Sequence, residues 1–595
     1  MPAQEYRIRR DARQASRDEL TWQHNRLADG RLAMVGLAAL LAWLTFSRHL
    51  VHPGWLAVPV ILFIALAVLH DRVLVARDCA RRAMAFYDRG LARIEDRWAG
   101  MGSTGAAFQP EEHPYAADLD LFGRGSVFEL LSTARLSAGE RTLASWLLAP
   151  ASPADIAARQ AAVEELRQRL DLREELALVG EEVSGWLDTS KLAAWGQAAP
   201  VLTATWPRIA AFLLACANIV SLVGALAYDT WAGWFVLSGL ASIAFTMRWR
   251  RKVSAVIAAS NAPAHHLHLL AEVLAVVERE AAGSPRLQAI RSRVDADGRP
   301  ASKRIRELQM LVNLLESRSN QFFAPISALL LWGTQLAWAI ETWRARNGPH
   351  LAQWVAGVGE FEALTSLASY AYEHPSDPFP AIVERGPLFD GEGMAHPLIA
   401  SARGVANDVR LDAGTRVLVV SGSNMSGKST LLRTVGVAAV LAQAGAPVRA
   451  RRLSISPLAV GATLRVQDSL QAGKSRFFAE ITRLRAIVDQ TSGPLPVLFL
   501  LDELLAGTNS HDRRVGATSV VQGLVERGAI GLVTTHDLAL AALTSTLGVG
   551  AQNVHFRDTF EGGEIHFDYT MRPGVVQTSN ALELMRAIGL IDPSS

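Results

Sequence analysis

The chain has 595 residues, too many for one hydrophobic core, so several domains are expected. Half of it is apolar (50%), 19% is charged and the formal net charge is +2; this exceeds the apolar content of an average soluble chain and excludes a polyanion-binding surface spread over the whole molecule. The two cysteines, Cys79 and Cys216, exclude a disulfide framework and fit a reducing compartment.

Residues 1–32 are basic, with arginines from Arg7 to Arg31, and are too long and arginine-rich for an ordinary signal peptide. Residues 33–70 hold two apolar runs, Ala33 to Phe46 and Trp55 to Leu69, parted by a short loop with His49 and Pro53. Residues 71–117 read as a charged helix and then a loop from Gly100 to Pro114. Residues 118–200 are helical, with apolar spacing at Val163, Leu166, Leu170 and Leu172. Within 201–252 the hairpin pattern returns: Ile209 to Ala227, a break at Tyr228-Asp229-Thr230, then Trp231 to Met247.

Spanning hydrocarbon takes about 20 helical residues, so each pair is expected to form a transmembrane helical hairpin, the second closer to the required length. Arg72, Arg77, Arg81 and Arg82 follow the first pair, and Arg248, Arg250, Arg251 and Lys252 the second; the loops inside the pairs carry little positive charge. By the positive-inside rule both hairpins enter and leave on the cytoplasmic side of a bacterial-type inner (plasma) membrane. Buried helices of a large soluble protein are the alternative. Residues 253–375 are again helical, and their apolar stretch Phe322 to Ile340, with Pro325, Gly333 and Gln335, is expected to be a core helix. The breaker-rich run Glu373 to Pro378 marks a boundary. From 376 to 595, β-rich runs alternate with helices, which predicts a mainly parallel α/β sheet.

The most specific signal lies there. Gly422-Ser423-Asn424-Met425-Ser426-Gly427-Lys428-Ser429-Thr430 follows the apolar run Arg416 to Val420, the strand-then-loop setting of a phosphate-binding P-loop. Glycines let the backbone N–H groups turn inward on a polyphosphate, Lys428 adds a cation for the β- and γ-phosphates, and Ser429 adds a hydroxyl for Mg²⁺. A second apolar run, Pro496 to Leu501, ends in Asp502 and Glu503; Asp502 is expected to hold Mg²⁺ and Glu503 to polarise the attacking water. A third, Gly531 to Thr535, ends in His536, placed to contact the γ-phosphate or orient the water. A lone Leu-Asp-Glu or a strand-end histidine is common in any fold. Three pieces in this order form the set that ATP hydrolysis needs. Between them, Gly473-Lys474-Ser475 precedes an amphipathic helix, with Ser475 as a possible cap. The nearby Phe478-Ala479-Glu480 is not read as a DNA-inserting wedge, and Arg449, Arg451 and Arg452 read as a solvated surface.

These residues resemble the MutS family of DNA mismatch-repair proteins, with its ABC-type ATPase. Asn424-Met425-Ser426-Gly427-Lys428-Ser429-Thr430 with Arg433, Asp502-Glu503 followed by Gly507-Thr508, and Thr535-His536 carry the likeness. His396-Pro397-Leu398 and Asn407-Asp408 resemble the approach to that family's nucleotide site, and Asp120 to Ser126 its helical core. The resemblance implies an ABC-type P-loop ATPase domain beside an all-α core or lever, using ATP and Mg²⁺. It implies a homodimer in which Ser475 reaches the partner's γ-phosphate, and it implies DNA as a partner. Read from the sequence, a mismatch-reading domain is not expected, apolar hairpins take its place, and no long dimerisation extension is expected after the ATPase. The expected activity is therefore a membrane-anchored ATPase driving a clamp or switch on a further protein partner, with mismatched or branched DNA as the alternative target. A transporter is a weaker reading, since polar residues within the expected spans are few (Asn218 is one).

Overall fold

The computed structural model describes residues 1–179, 189–295, 298–321, 323–423, 425–464, 476–505, 508–536, 544, 550–561 and 564–576. A single 45-residue helix, Pro2–Phe46, runs unbroken through both the basic segment and the first apolar run, which the sequence reading had divided at residue 32. No proline or glycine pair interrupts it after Pro2, so nothing stops the backbone ladder at the change of composition. The chain turns at the short 3₁₀ helix Pro53–Leu56, where His52 Nδ1 accepts from the Gly54 N–H at 3.1 Å, and returns as Ala57–Ile94. Along the hairpin, Arg31 Nη1 lies 2.8 Å from His70 Nδ1, and His70 Nε2 lies 2.6 Å from His24 Nδ1.

The root of this hairpin is fixed by a buried polar knot. Arg93 donates to both oxygens of Glu373, Nε at 2.6 Å and Nη2 at 2.5 Å, and the Tyr6 hydroxyl donates to Glu373 Oε1 at 3.2 Å. All three side chains are buried. Glu373 ends a long core helix, Trp332–Glu373. Around that helix pack Ser137–Leu148, Pro153–Arg167, Thr189–Gln197, Pro285–Val294 and Ala301–Glu316. Their starts follow local rules: Ser152 caps the second of them, its side chain accepting from the Asp155 N–H at 3.1 Å ahead of Pro153.

The second hairpin pairs Trp206–Ala227 with the first part of Ala232–Arg279, a helix of 48 residues. Asn218 sits at their interface: its amide donates to Ser242 Oγ at 2.9 Å and to the Leu329 carbonyl at 3.0 Å, tying the hairpin to the short helix Ala324–Leu329. Leu331, at φ 49°, then turns the chain into the core helix, so the apolar stretch expected to be one core helix is broken there; its part beyond Trp332 is core, with Trp338 and Ile340 buried.

Among the described residues, three helices are long and apolar enough to cross a membrane: Pro2–Phe46, Pro53–Ile94 and Trp206–Ala227. The fourth expected span, Trp231 to Met247, is not among them, because its apolar run gives way at once to Arg248, Trp249, Arg250 and Arg251. Apolar side chains on all four arms nonetheless face outward, among them Leu40, Ile61, Val223 and Leu240, each more than half exposed.

Beyond Glu373 the chain becomes α/β. Among the described residues the strands are β1 (Ala381–Ile382), β2 (Phe389–Met394), β3 (Asn407–Leu411), β4 (Val417–Ser421), β5 (Arg452–Ile455), β6 (Ala459–Thr463), β7 (Val497–Leu501), β8 (Ile530–Thr535), β9 (Ala551–Glu561) and β10 (Glu564–Pro573). Six form one sheet in the order β10-β9-β4-β8-β7-β6, parallel except for β10. The other four form a second sheet, β1-β5-β2-β3, in which β2 runs antiparallel to both neighbours; the sequence reading, which expected a mainly parallel sheet, did not separate it. β4, β7 and β8 are buried along their whole length, as interior strands covered on both faces must be.

Helical and α/β parts share one continuous core. Leu119 packs against Gly436 in the helix Lys428–Ala444 so closely that a Cβ there would come within 2.6 Å of Leu119 Cδ2 and 2.7 Å of Leu500 Cδ1. In the core helix, Glu362 accepts from the Arg135 N–H at 2.8 Å and the Leu136 N–H at 3.2 Å. Burial pushes its carboxyl up to about 8 despite those two donors and the nearby Arg135 charge. Between the ordinary value of 4.5 and about 8 the folded protein keeps a proton that the unfolded chain has released. Stability therefore falls as pH rises through that window and levels off above it. Denaturation midpoints taken across this range should show the decline in the wild type and a flatter profile in Glu362→Gln.

Candidate functional site

A cavity of about 1000 Å³ opens where β4, β6 and β7 end, walled on its far side by the loop after β2 and by the β9–β10 hairpin. This is the C-terminal edge of the parallel sheet, the edge at which open α/β sheets bind ligands. The loop after β4 curls tightly. Gly422 has φ 149°, and a Cβ there would meet Ser426 Oγ at 2.9 Å and the Phe556 carbonyl at 3.1 Å, so only glycine fits. Met425, at φ 69°, is exposed at the loop's crest, and Gly427 opens the helix Lys428–Ala444. Asn424, Ser475 and the Gly507 segment lie outside the described residues.

Lys428 is buried and donates to the carbonyls of Gly422 at 2.8 Å and Ser423 at 2.7 Å. Burial pulls its pKa below the ordinary lysine value, and the carboxylates of Glu503, Asp502 and Asp558 pull the other way. Ser429 and Thr430 line the cavity next to it, as do Asp502 and Glu503 from the end of β7. The Ser423, Ser426 and Thr463 hydroxyls are buried with no hydrogen-bond partner among the described residues. Of the three, Thr463 lines the cavity and is available to a polar ligand.

The acidic pair is aimed by Thr534, a fully buried residue of β8 that sequence reasoning missed. Its hydroxyl donates to Asp502 Oδ1 and accepts from the Glu503 N–H at 3.0 Å. Glu503 itself has φ 47°, an unusual conformation for a residue with a side chain, stored where function is expected. His536 is not on the cavity wall; its Nδ1 lies 3.5 Å from Glu503 Oε1, so it meets the cavity through Glu503. A threonine inside the apolar run Gly531 to Thr535 was the available signal for Thr534. Glu480 was also missed: it is buried, lines the cavity and accepts from the Leu505 N–H.

On the far wall, His396 Nδ1 accepts from the Leu398 N–H at 3.2 Å, which assigns the ring proton to Nε2. Nε2 is a buried donor without a partner among the described residues. Burial, with Arg433 and Arg449 nearby, lowers the imidazole to about 4, so it is neutral at physiological pH. Arg449, expected on a solvated surface, is half-buried and donates to the carbonyls of His396 at 3.2 Å and Ile399 at 2.5 Å; it shapes this wall. Arg451 and Arg452 are exposed, pairing with Asp408 and with Asp390 and Glu392. Asn407 accepts from the Met571 N–H at 2.7 Å and donates to the Tyr569 carbonyl at 3.0 Å, holding Tyr569 over the loop.

Residues 418–593 match the family model of MutS domain V. The ATPase-like part is thus MutS-like in sequence. The chain is 35% identical over 212 residues to the Endonuclease MutS2 of Thermus thermophilus, covering 36% of this chain and 27% of that protein. It is 33% identical over 236 residues to the DNA mismatch repair protein MutS 2 of Halobacterium salinarum, 39% of this chain and 27% of that one. The Endonuclease MutS2 of Anaeromyxobacter is 34% identical over 213 residues, with 35% and 26% covered. The chain therefore spans about a quarter of the length of these relatives.

Beside the shared core, a buried carboxylate ties the MutS-like part to the helices. Asp118 accepts from the Leu464 N–H at 2.8 Å and pairs with Arg483, and its carbonyl accepts from Arg433 Nε at 3.1 Å. Leu464 follows the cavity residue Thr463, Arg433 belongs to the helix after the P-loop, and Arg483 lies in the helix Arg476–Gln490. Removing one partner of a buried ion pair leaves the other uncompensated, so Asp118→Ala should destabilise the protein by roughly 3 kcal/mol. A urea midpoint within error of the wild type would contradict that.

Proposed function

We propose that this chain is a membrane-anchored, MutS-like ATPase whose site is completed by a second copy. The observation that carries the reading is the convergence of Lys428, Ser429, Asp502 and Glu503 on one cavity of about 1000 Å³, a volume suited to a nucleotide. In this reading Lys428 exchanges its loop carbonyls for phosphate oxygens. Glu503 orients the attacking water, and His536 steadies Glu503. His396 offers its Nε2–H to the base, beside Leu398 and Val405. Ser429 and Asp502 supply hard oxygen ligands, and the Thr534 bond keeps the Asp502 carboxylate turned inward, so the donor set fits Mg²⁺. When bound, Mg²⁺ would neutralise charge on the phosphates.

Dimerisation follows from the family likeness: Ser475 of each copy would reach the other's γ-phosphate. ATP then adds contacts only in the closed pair and shifts the equilibrium toward it. The outward-facing apolar arms and their arginine flanks support insertion of both hairpins into a plasma membrane from the cytoplasmic side. Anchored in this way, the ATP cycle would work as a clamp or switch on a partner at the membrane. A second reading, action on mismatched or branched DNA, is favoured by the names of the relatives. It requires tight, salt-dependent binding to such DNA over a neutral competitor.

Lys428→Ala should abolish ATP binding, and Glu503→Gln should bind ATP but lower turnover by about 100-fold or more, accumulating an ATP-bound dimer. Radiolabelled-ATP filter binding, phosphate release and light scattering check the three outcomes. Wild-type hydrolysis by both variants would refute the site.

A further inference from the structure

A second cavity, of about 880 Å³, lies between the second hairpin and the break at Leu331, away from the nucleotide site. Its walls are mostly apolar, with Phe235, Ile243 and Met247 from the second arm and Leu331 from the break, and Asn218, Ser242 and Thr334 add polar groups among them. Its mouth is cationic. Arg250, one turn beyond Met247, and Arg318, from the far side of the break, both line it. Arg318 reaches across the chain there: a Cβ built on Gly333 would lie 3.3 Å from its Nη1. Both arginines are exposed, and neither has a carboxylate partner among the described residues. The cleft sits where the outward apolar surface of the arm gives way to the basic run Arg248 to Lys252.

We propose that this cleft binds an anionic phospholipid, with its phosphate on Arg250 and Arg318 and an acyl chain along Phe235, Ile243 and Met247. The inference rests on the membrane reading of the hairpins. Charge complementarity selects the occupant. Two guanidinium groups favour a phosphodiester over a bare hydrocarbon, and the apolar wall favours a chain-bearing phosphate over a free one. A zwitterionic headgroup would bring a second cation up to the same two arginines and bind less well. Basic residues just cytoplasmic of a membrane segment recognise anionic lipid by the same physics.

The test uses the full chain, purified in detergent and exchanged into nanodiscs of phosphatidylcholine with a minor fraction of phosphatidylglycerol. After detergent re-extraction, retained lipid is counted by native mass spectrometry. The wild type should retain phosphatidylglycerol at least fivefold over its share of the bilayer. Arg250→Ala/Arg318→Ala should bring retention down to that share. Arg250→Lys/Arg318→Lys, which keeps the charge, should preserve most of the preference, and Arg346→Ala, an exposed arginine outside the cleft, all of it. No preference in the wild type, or an undiminished one in the double alanine variant, overturns the proposal. Loss of the preference in millimolar inorganic phosphate would assign the arginines to free phosphate and overturn it too. Carbonate extraction of cell membranes separates the two readings. A chain released into the supernatant refutes the membrane reading itself, whereas a pelleted chain without lipid preference refutes only this cleft.

Discussion

The adjacency of three strand ends is the constraint on which the rest depends. β8 is hydrogen-bonded to β4 on one side and β7 on the other, all parallel. Neighbouring strands lie about 4.8 Å apart. Residues distant in sequence, Lys428 after β4, Asp502 and Glu503 after β7 and His536 after β8, are therefore delivered to one edge. The chemistry of each is ordinary; their joint placement is not. The Thr534 hydroxyl bridges the Asp502 carboxylate and the Glu503 backbone N–H and holds the acidic pair at the strand tip.

That edge is also where the helical part takes hold. Asp118 grips the end of β6, the helix after the P-loop and the helix Arg476–Gln490 at once. At the other end, Glu373 closes the long core helix and holds the root of the first hairpin through Arg93 and Tyr6. The first strand, Ala381–Ile382, begins a few residues later. Hairpin root and core helix thus meet at a single buried carboxylate.

Much of this was legible because the signals are local. A glycine-rich loop after an apolar run, an acidic pair closing another and a histidine closing a third are each readable in a few residues. The apolar arms and their arginine flanks are equally plain. What was not legible depends on packing between distant segments. Thr534 looks like one more β-branched strand residue until Asp502 is placed beside it. Glu480 and Asp118 sit in unremarkable helical or loop sequence, and only the fold shows them buried at the site. Arg449 resembles its exposed neighbours Arg451 and Arg452, yet the loop carrying His396 folds over it. The continuity of the helix Pro2–Phe46 across residue 32 was not legible because the charge pattern changes there while helix propensity does not.

The central claim is a triphosphate site built from these strand tips. It is tested most directly by a structure of the Glu503→Gln protein determined with MgATP. The account predicts the γ-phosphate within hydrogen-bonding reach of Lys428 Nζ, the metal on Ser429 and Asp502, and the base against His396. Nucleotide bound elsewhere, or phosphates that make no contact with Lys428, would contradict it.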